Sequence, residues 1–158
     1  MTLHFDLQAI ATVRAQRQTP DDDFWGQTTA VIELTDASRA ESLTGLSDFS
    51  HAEILFVFDR VPPEKIEFGA RHPRNRADWP KVGIYAQRGK NRPNRLGSTI
   101  VRIVKVEGHR LTVAELDAID GTPVLDIKPV MRSFLPRDPV REPAWATELM
   151  TEYWKVES

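Results

Sequence analysis

The chain contains no cysteine, which excludes a disulfide framework and a thiolate metal site. Its four histidines, His4, His51, His72 and His109, are scattered without metal-ligand spacing, so no metal is expected. None of the eight glycines forms even a Gly-x-Gly, and there is no Walker loop. That excludes the common doubly wound nucleotide-binding fold, which needs a glycine-rich turn from strand to helix. No apolar run approaches the roughly 20 residues that span a bilayer. The start, Met1-Thr2-Leu3-His4-Phe5-Asp6, lacks the basic and apolar regions of a signal peptide. The expectation is a soluble cytoplasmic protein with no membrane partner.

What is present suffices for one core. A chain of 158 residues with 41% hydrophobic content favours a single domain over residues 1–158. The net charge of −2 hides a strong polarity: residues 71–95 carry eight Lys or Arg against Asp78 alone, +7 there and therefore −9 over the rest. Such a segment can neutralise phosphates, with Arg71, Arg74, Arg76, Lys90 and Arg95 as candidate substrate contacts, or it is a solvated loop. Trp79 and Tyr85 lie amid the charge, where they can stack on unpaired bases or belong to the core.

Local patterning points to a mainly β protein. Residues 10–13 and 28–34 read as strands, and Asp36 as the cap of a short helix over 37–43, with Gly45 just past its end. The continuous apolar run 54–58 predicts a strand buried on both faces, stopped by Val61-Pro62-Pro63. Residues 66–70 and 82–86 are strand candidates flanking a basic loop. The β-branched runs 99–106 and 111–116 form a hairpin about a turn at 107–110. A last helix opens at Glu142-Pro143, with Trp145, Leu149 and Tyr153 recurring every four residues and Met150 and Trp154 widening the stripe. The fold expected is a small closed β-barrel with short flanking helices and a C-terminal helical extension over residues 139–158.

The hairpin has a functional consequence. Antiparallel strands bring the residues before the first beside those after the second. The basic loop 88–95 should therefore face the acidic residues Asp117, Asp120 and Asp126. A cationic and an anionic rim around one gap suit a zwitterionic ligand or an anionic polymer.

Three blocks in this order carry a family resemblance: Gly-Leu-Ser-Asp-Phe-Ser-His-Ala-Glu-Ile-Leu-Phe-Val-Phe from Gly45, Gly-Ile-Tyr-Ala-Gln-Arg with Asn-Arg-Pro-Asn-Arg-Leu-Gly-Ser from Gly83, and Leu-Asp-Ala-Ile-Asp-Gly-Thr-Pro-Val-Leu-Asp-Ile-Lys-Pro from Leu116. The chain resembles the TsaA-like (TrmO, YaeB, VirR) family. The resemblance implies a small β-barrel that binds S-adenosylmethionine and methylates N6 of the threonylcarbamoyl-modified adenosine next to the anticodon of certain tRNAs. It implies cofactor contacts from Leu116, Asp117, Ala118 and Ile119, the backbone reading the adenine edge. Arg88, Gly97, Ser98, Asp59 and Arg60 match positions lining that pocket, and a homodimer with the site near its interface is implied as well. Val130 stands where many members have tyrosine, and Arg95-Leu96 where they have Pro-Ile.

Each site residue has a structural alternative. Arg92 and Asn94 flank Pro93 in the most diagnostic motif: Arg92 pairs with the cofactor carboxylate or a tRNA phosphate, or with an aspartate that shapes the loop. Asp120-Gly121 is a turn whatever its function. Alternation places Val124, Asp126 and Lys128 on one face, where Asp126 and Lys128 form a catalytic or a structural pair. His51 reads as a structural histidine. Asp117, Asp120 and Asp126 all remain candidates for the proton acceptor. Longer bacterial members add a C-terminal domain thought to help hold tRNA, so a small-molecule methyl acceptor is the nearest alternative. A non-catalytic RNA-binding barrel is the second.

Overall fold

The computed structural model describes all residues, Met1–Ser158. In chain order its strands are β1 (Ala11–Ala15), β2 (Thr29–Leu34), β3 (His51–Val57), β4 (Ala70–Arg71), β5 (Val82–Gly83), β6 (Leu96–Glu107), β7 (Arg110–Ala114) and β8 (Pro123–Pro129), followed by one short helix, α1 (Ala144–Leu149). Six of the strands close a barrel in the order β1-β2-β7-β6-β3-β8, every neighbour antiparallel, and β4 and β5 form a separate ribbon. Closure removes the unpaired edges that an open sheet of this size would expose. A mainly β barrel with few helices is the expected class.

Alternation along the strands fills the barrel. Val13, Ile32, Ile54, Phe56, Val101, Leu111, Val113 and Val124 are each at most 1% exposed and form one cluster. β3 is paired on both sides, by β6 and β8. Yet it buries only alternate residues completely, Ala52, Ile54 and Phe56, while Leu55 and Val57 are half-buried on the outer face. The continuous apolar run thus reflects an apolar outer surface rather than burial on two faces.

Other expectations shift in detail. Residues 37–43 form 3-10 turns kinked at Arg39 instead of an α-helix, with Asp36 accepting from the Ser38 N–H at 3.0 Å and Gly45 left-handed at φ 86°. Of residues 66–70 only Ala70 joins a strand, and residues 84–86 form a 3-10 turn after β5. The β6–β7 hairpin turns at Gly108, φ 60°, with a bulge between Ile103 and Lys105. α1 is shorter than its stripe suggests, because the chain beyond it bonds to another partner. Phe24, Trp25 and Gly26 donate their N–H groups to the carbonyls of Glu152 (3.2 Å), Tyr153 (2.8 Å) and Lys155 (3.2 Å). The Trp79 indole adds a bond to Glu148 Oε2 at 2.8 Å. Residues 148–155 are thereby strapped across the barrel. No helix is long and apolar enough to cross a membrane.

Candidate functional site

The site lies where β6 and the chain leaving β7 part company. Arg102 faces Ala114 across the hairpin, and three steps further along each strand the same register sets Thr99 opposite Asp117. No ladder forms there. A side-chain bond spans the gap instead, Thr99 Oγ1 donating to Asp117 Oδ1, and the Tyr153 hydroxyl from the C-terminal strap donates to Asp117 Oδ2. Both carboxylate oxygens are thus oriented by hydroxyls. Burial first, then the Asp117 carboxylate, push the Tyr153 hydroxyl far above its ordinary pKa against the opposing pull of Arg74 and Arg88. Tyr153 therefore stays protonated and serves as a donor.

The backbone beside Asp117 is the second feature. Leu116 is 2% and Ala118 4% exposed, their side chains packed into the core cluster. The N–H and C=O groups of Leu116, Asp117 and Ala118 have no partner in the protein. Unpaired backbone groups on residues this enclosed are rare, because desolvating them without a partner is costly. An extended segment with open donors and acceptors suits a flat heteroaromatic edge. Ile119 differs, since its carbonyl accepts from the Thr122 backbone at 3.2 Å and from the Thr122 hydroxyl at 2.7 Å.

The basic loop supplies cations. Arg88 donates to the Ser98 carbonyl (2.5 Å) and Arg92 to the Gln87 carbonyl (2.6 Å), and neither pairs with a carboxylate. The anticipated salt bridge from Arg92 to an aspartate is not made. Asn94 sits at φ 63° in the 3-10 turn Pro93–Arg95 and is exposed.

The three aspartates do not share one rim. Asp120 turns towards β1, where its Oδ1 accepts from the Ala15 N–H at 3.0 Å. That bond, then one from the Gln18 side chain, holds its carboxyl below the ordinary range. Arg60 donates to the Asp120 and Gln18 carbonyls at 3.2 Å, and the Asp59 carbonyl accepts from Arg95 at 3.4 Å. Arg60 therefore belongs to this corner, while the Asp59 backbone is tied to the basic loop through Arg95. Asp126 pairs with Lys128 at 3.0 Å on the outer face of β8. A bulge between Leu55 and Phe56 in the register turns Val124 inward, so it does not share their face as alternation suggested.

Gly97 faces the barrel interior against Phe56, and Ser98 faces out, donating to Glu53 Oε1 at 2.8 Å. Among the candidate substrate contacts, Arg74 is held bidentate by Asp23 at 2.9 and 3.1 Å. Arg76 is paired with Asp78 and lies over the Trp79 ring at 3.9 Å. Arg95 also donates to the Val61 carbonyl at 2.9 Å. Arg71 and Lys90 have no acidic partner. His51 shares a 2.6 Å bond with the Ser50 hydroxyl.

Thr99 and Tyr153 were not among the sequence candidates. Tyr153 belonged to an apparent helical stripe, and only the docking of the strap brings it to Asp117. Gly26 permits that docking: a Cβ there would lie 2.1 Å from the Trp154 carbonyl oxygen. Gly26→Ala is expected to destabilise by about 1–3 kcal/mol, the usual range for forced overpacking, and to free the strap. Limited proteolysis should then cut residues 148–155 readily, and equal resistance in variant and wild type would contradict it. Two surface hollows, of about 200 Å³ beside Arg14 and Thr112 and about 270 Å³ beside Leu43 and Phe49, contain no predicted site residue. Their walls are mostly apolar or hydroxyl side chains, with one charged group, Arg14, already near Glu33 at 3.8 Å. The open backbone and the doubly hydrogen-bonded carboxylate lie elsewhere, at Asp117.

Known proteins resemble this chain in sequence and in fold. Residues 11–134 match the family model of the tRNA-methyltransferase O N-terminal domain. A mouse protein named tRNA (adenine(37)-N6)-methyltransferase is 41% identical over 93 residues, 59% of this chain and 21% of that protein. The Rhizobium radiobacter "Probable S-adenosyl-L-methionine-binding protein VirR" is 35% identical over 104 residues, 65% of this chain and 56% of that one. The crystal structure of TrmO from Pseudomonas aeruginosa superposes with a TM-score of 0.73 at 25% identity, covering 92% of this chain and 63% of that one. The chain thus spans between about a fifth and two thirds of the length of these relatives.

Proposed function

The chain belongs to the family of the tRNA-methyltransferase O N-terminal domain, and from that premise we propose that it is an S-adenosylmethionine-dependent methyltransferase. Its acceptor is N6 of the adenosine next to the tRNA anticodon, in the threonylcarbamoyl-modified form. The observation that carries this reading is the set of unpartnered backbone groups of Leu116, Asp117 and Ala118 beside the doubly hydrogen-bonded Asp117 carboxylate.

These residues fit the cofactor. The open backbone segment reads the adenine edge, and Arg88 and Arg92, free of carboxylate partners, take the cofactor carboxylate or a phosphate. When bound, S-adenosylmethionine supplies a methyl group already activated on a sulfonium. The protein's part is alignment and proton removal. Asp117 would take the proton from N6, while Thr99 and Tyr153 hold its carboxylate in place. Asp120 is turned towards β1 by the Ala15 N–H and Asp126 lies with Lys128 on the outer face of β8, so of the three only Asp117 sits on the open backbone segment.

The protein works in the cytoplasm as a single barrel domain with residues 139–158 as an extension, and as a homodimer. The outer face of β6 supports dimerisation, with Leu96, Ile100 and Val104 exposed at 40%, 48% and 46%.

The test is transfer of labelled methyl to tRNA extracted from cells lacking this protein, with digestion to nucleosides. Label on the threonylcarbamoyl adenosine is expected. Cofactor binding without any transfer to tRNA would overturn the tRNA acceptor and favour a small molecule, whereas tRNA binding without cofactor binding would favour a non-catalytic barrel. Arg88→Ala should weaken cofactor binding by about 10- to 150-fold, the worth of one hydrogen bond to a charged group. Unchanged affinity in calorimetry would remove Arg88 from the site.

A further inference from the structure

The β4–β5 ribbon pairs Arg71 with Val82 and Ala70 with Gly83. Beyond the ladder the Ile84 N–H still donates to the Gly69 carbonyl at 2.8 Å. Phe68 precedes β4 and Tyr85 follows β5 in the 3-10 turn Ile84–Ala86, so both lie at the same end of the ribbon. Each residue is 76% exposed, and neither ring packs against another aromatic ring. Large rings left in water at one end of a ribbon that buries little add nothing to the barrel core.

Their surroundings are cationic. The ribbon is tied to the basic loop: the Gln87 side chain donates to the Arg71 and Val82 carbonyls at 2.9 and 3.0 Å, the Glu67 N–H to the Asn91 carbonyl at 3.1 Å, and the Asn91 side chain to the Lys65 carbonyl at 3.0 Å. Of the eight cations in residues 71–95, only Arg74 and Arg76 have acidic partners. Arg71, Lys81, Arg88, Lys90, Arg92 and Arg95 have none, and the buried Nε of Arg71 lacks any partner. Glu67, next to Phe68 in the chain, bonds the Gly69 N–H at 2.7 Å.

We infer that Phe68 and Tyr85 are the base-stacking residues of a docking surface for single-stranded RNA, with cations that lack acidic partners, Arg71, Lys81, Lys90 and Arg95, neutralising its phosphates. Every base has a π-face, and exposed rings beside a basic groove are the means by which proteins hold unpaired nucleotides. Charge complementarity selects this occupant. A second copy of the chain on the same patch would bring these uncompensated cations against their own counterparts, whereas RNA brings the opposite charge.

The inference deepens the tRNA reading and rests on it. Fluorescence anisotropy with a labelled anticodon stem-loop RNA, and with a fully paired duplex as control, separates the two. Phe68→Ala and Tyr85→Ala should each weaken loop binding by about 5- to 150-fold, the range for loss of one stacked base. Duplex affinity and the salt dependence of binding should stay as in the wild type, because the cations are untouched. Tyr85→Phe should bind like the wild type, and Tyr85→Leu, equally apolar but without a π-face, should bind like Tyr85→Ala. Wild-type affinity in the alanine variants, equal loss on loop and duplex, or a changed oligomeric state in sedimentation would overturn the stacking role alone. Failure of the wild type to bind RNA at all would overturn the tRNA reading, and this inference with it.

Discussion

Asp117→Asn is expected to slow methyl transfer by about 100- to 10,000-fold, the range over which a positioned proton acceptor contributes, while leaving the barrel folded. The substitution keeps the shape of the side chain, and its two partners are hydroxyls, which rotate to donate or accept as required. One can go on donating to the amide oxygen while the other accepts from the amide nitrogen. Only the negative charge and the basicity disappear. Single-turnover transfer read beside calorimetry separates the possible roles. A fall in rate with cofactor affinity nearly unchanged identifies the proton acceptor. An affinity loss as large as the rate loss would make Asp117 a cofactor contact instead, and a rate within a few-fold of wild type would dismiss it from the chemistry.

Much of this site is legible in the sequence, and the reason lies in the hairpin. Turn residues and β-branched runs locate β6 and β7, and antiparallel pairing then brings the chain before one beside the chain after the other. Arg88 and Asp117 follow from that. The bulge between Ile103 and Lys105 is not legible, although it fixes which residue of β6 faces Asp117 and hence the role of Thr99. Tyr153 is hidden for a different reason. It lies 36 residues from Asp117, in a stretch whose spacing fits an amphipathic helix, and periodicity cannot tell that backbone bonds to residues 24–26 end the helix early. Charge pairing is equally nonlocal. Asp23 takes Arg74 out of the free basic surface across 51 residues, so the segment's formal charge overstates what a ligand meets.

Gly97 shows how a motif residue serves packing. It matches a pocket position by resemblance, yet its Cα faces inward, and an added Cβ would stand 2.5 Å from the Phe56 ring. Register places the two residues directly opposite each other on β6 and β3. Phe56 is 1% exposed and meets Phe58 edge-on at 5.3 Å, so its ring has no room to retreat. Phe56→Ala is therefore expected to cost about 3–5 kcal/mol, transfer and cavity terms together, a large part of the roughly 5–15 kcal/mol that holds a domain folded. Gly97→Ala alone should cost about 1–3 kcal/mol by overpacking. The two costs should not add, because with the ring gone the new methyl group meets only the cavity and fills part of it. The double variant should be no less stable than Phe56→Ala in urea denaturation. Additive losses would mean that Gly97 is required by its backbone conformation rather than by the ring, and the assignment of this glycine to the core would fall.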